Sequence, residues 1–320
     1  MKKRGVKPET TLQLETGTVV RSTGATIWVQ RPGGDWLPCI VVGKFRIQDL
    51  NSTNPVAVGD YVRYAVQDDG VQGMIREILP RQNYLLRKAI SHARKVHILC
   101  ANIDQAILIF TVDQPYTSLG FAHRFLVSAE SCSVPVQVLI NKKDLIHTPE
   151  QVERAAEAEQ AFRLAGYPVT RVSAFDPADR MVVTAMLRDR KTFICGHSGA
   201  GKSALVNLAA KDLQLKTGEI SDYTGKGKHT TTYAEMYPLP FGGAIIDSPG
   251  IKELGLAEMD VQALGACFPE ITARLGTCRF GNCLHLSEPG CAVRTAAETG
   301  EIHPSRYDAY LRMVEELRAG

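Results

Sequence analysis

The chain has no run approaching the ~20 consecutive apolar residues that a membrane-spanning helix requires, although 44% of its 320 residues are hydrophobic. That excludes a helical membrane protein and leaves apolar material for two or three domains with cores. The opening segment, MKKRGVKPETTLQLETG, lacks the apolar stretch of a secretory signal, so a cytoplasmic location is expected. No internal repeat or low-complexity tract is present, which excludes a repeat array. Clustered cysteines are scarce as well. Of the eight cysteines, Cys39, Cys100, Cys132, Cys195 and Cys267 sit singly among apolar residues and read as small buried side chains.

Acidic residues are missing altogether from residues 80–97, PRQNYLLRKAISHARKVH, which carry Arg81, Arg87, Lys88, Arg94 and Lys95. This basic connector reads equally as a solvated linker or as an RNA contact. Residues 1–95 hold 15 Lys+Arg against 8 Asp+Glu, a balance of +7, and the remainder 22 against 26, a balance of −4. The first segment is therefore the one expected to meet a polyanion. Within it, GTVVRS, ATIWVQ, WLPCIVVG, DYVRYAV and VQGMIREI are β-branched or aromatic runs separated by turn formers. Five such strands before residue 80, without a helix, predict a small OB-like barrel, and an SH3-like barrel fits nearly as well.

From Ile103 the rhythm changes. The strands DQAILIFTV, VPVQVLI, YPVTRVSA, KTFICG and GGAIIDSPG alternate with the helical segments LGFAHRFLVSAES, TPEQVERAAEAEQAFRLAG, DPADRMVVTAMLRD and KSALVNLAA. That alternation predicts a largely parallel α/β sheet with helices on both faces. After about residue 254 the strands stop, and DVQALGACF, PEITARL and HPSRYDAYLRMVEELRAG read as helices. The expected architecture is multidomain: an OB-like barrel with its connector over 1–95, an α/β domain over 96–253 and a helical domain over 254–320.

Gly196, His197, Ser198, Gly199, Ala200, Gly201, Lys202 and Ser203, with Ala204 following, spell GHSGAGKS between the strand KTFIC and a helix. In that context G-x-x-x-x-G-K-[ST] is a phosphate loop. Its glycines let backbone N–H groups wrap phosphates at a helix N-terminus, Lys202 reaches the β- and γ-phosphates, and Ser203 offers a hydroxyl to Mg²⁺. Asp247 opens DSPG at the end of an apolar strand. It would hold Mg²⁺ through water, and Gly250 would turn its N–H to the γ-phosphate. Asn141, Lys142, Lys143 and Asp144 form NKKD at the end of VPVQVLI. A carboxylate accepts hydrogen bonds from guanine N1–H and the 2-amino group, donors that adenine lacks, so Asp144 selects GTP over ATP. Asn141 braces the loop, and the stem of Lys142 can cover the base. Ser173 and Ala174 close a further strand and can turn a backbone N–H to guanine O6.

In a conventional GTPase the phosphate loop precedes N-K-x-D; here it follows. Writing the domain as a circle and cutting it after D-x-x-G reproduces the order in this chain. Domain termini often lie together, so a circular permutation joins them readily. Further on, Cys278, Cys283, His285 and Cys291 bring three thiolates and one imidazole into 14 residues. That is a complete Cys₃His set for one closed, structural Zn²⁺, and disulfides are not expected here.

On these motifs, with the basic barrel ahead and the Cys₃His tail behind, the chain resembles the RsgA (YjeQ) family of bacterial ribosome-assembly GTPases over nearly its whole length. The resemblance implies hydrolysis of GTP to GDP and phosphate, stimulated by the small ribosomal subunit during its late maturation, with rRNA as a partner. It also points to His229, in GKGKHTTT, as catalytic. The position after Gly250 is Ile251, which cannot orient water as the glutamine of many GTPases does. In the same Gly-rich stretch one of Thr230, Thr231 and Thr232 is expected to ligate Mg²⁺, with Thr231 favoured. Ile251 gives weight to an alternative, an RNA-binding scaffold with a nucleotide-locked, weakly catalytic domain. NKKD argues against a P-loop ATPase or kinase. No interface is legible, so a monomer is expected. Because Gly250 leads into the helical tail and the other cut end leads to the barrel, γ-phosphate occupancy is expected to alter how both flanks sit.

Overall fold

The computed structural model describes residues 14–23, 26–41, 55–67, 70–88, 96–210, 234–247 and 259–319. Alternating apolar residues close the first strands on themselves. They are β1 (Glu15–Ser22), β2 (Ile27–Gln30), β3 (Trp36–Val41), β4 (Tyr61–Val66) and β5 (Gly73–Ile78). β1 pairs with both β2 and β4, and β3 runs parallel to β5. This closed order is the OB arrangement, and its parallel pair rules out the antiparallel SH3-like alternative. Val19, Val29, Cys39, Val62, Tyr64 and Ile75 fill the interior.

The basic connector is more ordered than its composition suggests. Part of it forms β6 (Tyr84–Lys88), which pairs antiparallel with β7 (Val96–Ala101). Neither strand stands out in the sequence, because basic residues interrupt the apolar run. Polar side chains fasten this hairpin to the barrel. Asp60, fully buried, accepts from Arg81 at 2.6 and 2.7 Å and from the Ala57 N–H at 2.8 Å. Arg81 also donates to the Pro55 carbonyl at 3.0 Å. Asn102 donates to Gly59 O and accepts from the Gln82 N–H.

The central sheet comprises β8 (Gln105–Phe110), β9 (Val136–Ile140), β10 (Val169–Arg171), β11 (Lys191–Cys195), β12 (Glu235–Pro238) and β13 (Ala244–Asp247). Its order is β10-β9-β8-β11-β13-β12. All neighbours are parallel except β12, which runs antiparallel to β13. β8 is buried along its whole length because helices cover both faces. α1 (Leu119–Glu130) and α2 (Pro149–Leu164) pack on one face; α3 (Arg180–Leu187) and α4 (Lys202–Ala209) pack on the other. Local chemistry sets the helix starts. Ser118 caps α1 by accepting from the Phe121 N–H at 3.2 Å. Thr148 and Gln151 form a reciprocal capping box at α2, with Pro149 in the first turn.

The remaining helices are α5 (Val261–Ala266), α6 (Pro269–Thr272), α7 (Ala292–Glu298) and α8 (Pro304–Ala319). Their core includes Val127 of α1. His123 Nε2 lies 3.0 Å from Ser305 Oγ, and Arg124 pairs with Glu316. Arg306, fully buried, donates to Glu270 at 2.6 and 3.2 Å. The barrel meets the sheet edge where β1 pairs with β12, and Lys191 donates to the Tyr61 hydroxyl at 2.8 Å. Among the described residues no helix is long and apolar enough to cross a membrane.

Removing one partner of a buried ion pair strands the other charge, whereas an exposed pair contributes little. Arg81→Met should therefore destabilise the full-length chain by about 3 kcal/mol in urea unfolding. Arg63→Met, which breaks the half-exposed pair with Glu77, should cost less than about 1 kcal/mol.

Candidate nucleotide site and metal cluster

Parallel strands present their carboxyl ends on one side of a sheet, and the loops that leave them meet there. β11 ends at Cys195, the loop of residues 196–201 follows, and α4 begins at Lys202. Gly196 and Ala200 are buried, Ser198 and Gly199 exposed, and Ala204 half-buried. Gly201 has φ of 94°, and a side chain there would run into the Asn141 amide, so glycine is required on both counts. Lys202 is buried, and its Nζ donates to Gly196 O at 2.9 Å and His197 O at 3.0 Å. Burial lowers its pKa from the usual lysine value, and the Asp247 carboxylate opposes that shift. Ser203 and Asp247 are both buried, the latter at the end of β13. The His197 ring lies against Phe121, with centroids 4.3 Å apart. Nothing in the sequence singles out Phe121.

β9 delivers Asn141. Its Nδ2 donates to Ala200 O at 2.7 Å, joining NKKD directly to the phosphate loop. Lys142 has a left-handed backbone, φ 63°, and its ammonium donates to Gln114 O. Lys143 lies 2.8 Å from both Asp176 and Asp179, and hydrogen bonds to these two carboxylates raise its pKa. Asp144 is exposed. The Lys143 N–H donates to Val172 O at 3.1 Å, so this loop touches the turn holding buried Ser173 and half-buried Ala174. Of the expected site residues, His229, Thr231 and Gly250 lie outside the described residues, as does Ile251. Asp176 and Asp179 belong to no motif. The one local signal for Asp176 is its place as the N-cap of a short 3₁₀ turn, where it accepts from the Ala178 N–H.

The ligand atoms of Cys278, Cys283, His285 and Cys291 lie within 4.8 Å of one another. His285 Nδ1 stands 3.5 Å from Cys278 Sγ and 3.4 Å from Cys291 Sγ. Tetrahedral Zn²⁺, with Zn–S ~2.3 Å and Zn–N ~2.0–2.1 Å, spans S···N edges of about 3.5 Å, so donor set and dimensions fit that ion. The surrounding loop is clamped twice. Glu288 accepts from the N–H groups of Leu284, Leu286 and Ser287 at 2.8, 2.8 and 3.1 Å. From α8, the Tyr307 and Tyr310 hydroxyls donate to His285 O and Leu284 O, each at 2.7 Å.

A doubly wound sheet with a phosphate loop at β11, an aspartate ending β13 beside it and N-K-x-D at the end of β9 defines a P-loop GTPase domain. Counted from β11, its strands read 6-5-4-1-3-2 across the sheet, with the chain cut between strands three and four. The domain is circularly permuted. The chain belongs to the RsgA GTPase family, whose model matches residues 78–257. It is 42% identical over 304 residues to the small ribosomal subunit biogenesis GTPase RsgA of Bacteroides fragilis strain YCH46, covering 95% of this chain and 97% of that one. Among solved structures, YjeQ from Thermotoga maritima is similar at TM-score 0.74 and 30% identity, covering 96% of this chain and 100% of that one. YloQ, described as a circularly permuted GTPase, is similar at TM-score 0.71 and 27% identity, covering 98% of both chains.

Asn141→Ala would leave the buried Ala200 carbonyl without its donor. The variant should lose roughly 1–3 kcal/mol of stability, the cost of an unsatisfied buried polar group. Urea unfolding measures that loss, and nucleotide titration should show weaker binding in parallel.

Proposed function

We propose that this chain hydrolyses GTP to GDP and phosphate and acts, like the relatives named above, in biogenesis of the small ribosomal subunit. The observation that carries this reading is the Asn141–Ala200 contact, because it joins the base-selecting loop to the phosphate loop in one site. In it, backbone N–H groups of residues 196–204 and the Lys202 ammonium hold the phosphates. Asp144 accepts from guanine N1–H and the 2-amino group, Lys142 lies along the base, and the 173–174 turn donates to O6. Ser203, Asp247 and Thr231 would hold Mg²⁺, which when bound neutralises charge developing on the β- and γ-phosphate oxygens. Gly250 donates to the γ-phosphate, and His229 orients the attacking water, a role that Ile251 cannot fill. Catalysis in this class is positioning plus electrostatics, so a partner that aligns His229 with the attacking water would accelerate turnover.

The OB-like barrel and the basic connector, residues 1–95, supply the surface for rRNA. The division at 253/254 separates the GTPase domain from the metal-bearing helices, and the one at 95/96 falls inside the β6–β7 hairpin that links the rRNA surface to the GTPase domain. The protein acts in the cytoplasm as a monomer.

GTP turnover measured with isolated small and large ribosomal subunits in parallel tests this reading. Stimulation by the small subunit alone is expected. No stimulation by either would leave the RNA-binding scaffold as the better account.

The Cys₃His cluster holds one structural Zn²⁺. With four protein donors no coordination position would be left for chemistry, so these residues would hold the ion as a brace for the loop and not for hydrolysis. Elemental analysis of protein purified without chelators should give about one zinc per chain. Cys283→Ala should abolish that zinc and expose residues 278–291 to protease, while GTP binding persists.

A further inference from the structure

The turn that follows β10 has more backbone donors than it leaves free. The Ser173 N–H donates to Asp179 Oδ2 at 2.7 Å. The Phe175 N–H donates to Ser173 Oγ at 3.1 Å, and the Asp176 N–H to Ser173 O at 3.2 Å. Among the described residues no acceptor meets the Ala174 N–H. It is the one backbone donor of residues 173–176 left to face a ligand.

Asp179 makes the one bond of this pattern that comes from outside the turn. Its carboxylate is largely buried, with one oxygen on the Ser173 N–H and Lys143 Nζ within 2.8 Å. Lys143 adjoins Asp144 and also meets Asp176, but Asp179 is the carboxylate that holds both Lys143 and a backbone N–H of the turn, and so ties the turn that faces the purine 6-position to the loop that faces its 1- and 2-positions. The helical run that leads into α3 begins with a 3₁₀ turn, and its cap is Asp176, which is extended and accepts from the Ala178 N–H at 3.0 Å. Asp179 ends that turn with helical backbone, φ −78° and ψ −11°, and makes no cap hydrogen bond. Its side chain is instead engaged by the base-binding loops, through the Ser173 N–H and Lys143.

We infer that Asp179 is a positioning residue for guanine selection. By holding the Ser173 N–H and Lys143, it aims the Ala174 N–H at the 6-oxo group. The inference rests on the guanine site proposed above. It also adds a second barrier to adenine nucleotides, whose 6-amino group would meet a donor with another donor.

The test compares binding of GDP, 6-thio-GDP and IDP to the full-length protein. The thio analogue keeps N1–H and the 2-amino group but replaces the 6-oxo acceptor with weakly accepting sulfur. IDP lacks only the 2-amino group. Wild type should prefer GDP over 6-thio-GDP by roughly 5- to 10-fold, the scale of one hydrogen bond. In Asp179→Ala that preference should fall close to unity, while the GDP-to-IDP ratio, set by Asp144, stays within about 2-fold of wild type. Asp179→Asn keeps an acceptor for the Ser173 N–H and should retain most of the 6-oxo preference. Variants that keep the wild-type 6-thio ratio overturn the positioning role and leave the base site standing. So do variants in which both ratios fall together, which would mark a general loosening. A wild type that distinguishes neither analogue from GDP overturns the base-site reading and this inference with it.

Discussion

The hydrogen bond from Asn141 Nδ2 to Ala200 O sets the frame for the nucleotide loops. β9 and β11 are not neighbours; β8 lies between them. Their loops meet only by arching over the carboxyl end of β8, and the bond fixes how closely they do so. At 2.7 Å and buried, it leaves no room for a side chain on Gly201, whose absent Cβ is the other half of the same contact. The partners are 59 residues apart with asparagine first. In an unpermuted chain asparagine would come second. The contact is indifferent to that order, because sheet neighbours are set by strand pairing and not by the path of the loops. This is why a permutation can leave the site intact.

The motif-bearing parts of the chain are the parts the sequence reveals best. Phosphate loop, NKKD and DSPG each end a strong apolar strand, and Thr148 to Gln151 announces α2 through its own capping chemistry. The Cys₃His cluster is legible because its ligands are local. What escapes is non-local or weakly patterned. The choice of an OB-like over an SH3-like barrel turns on β3 pairing parallel with β5, a contact that leaves no mark in either strand. β6 is missed because Arg87 and Lys88 dilute it, β7 because it follows directly on the basic segment that ends at Lys95, and β12 because Glu235-Met236-Tyr237-Pro238 is too short to show a period. Asp179 is missed because its partners, the Ser173 N–H and Lys143, come to it only in the fold.

Connectivity alone suggests that both flanking units attach beside the nucleotide switches, and the described contacts give that idea particular residues. On the barrel side, Arg21 of β1 is the ladder partner of Glu235 in β12, and Glu235 is in turn the partner of Asp247. The Arg21–Glu235 ion pair at 3.5 Å is half-exposed and adds under ~1 kcal/mol. The backbone ladder, not the charge, therefore carries the connection from the barrel to the aspartate.

On the other side, α1 is shared between two contacts. Near its N-terminus Phe121 packs on His197 of the phosphate loop. Further along, His123, Arg124 and Val127 bind the C-terminal helices. α1, a 12-residue helix capped by Ser118, thus touches the phosphate loop and the C-terminal helices at once. The two flanks reach the nucleotide loops through different contacts, a strand pairing on the barrel side and packed side chains on the other.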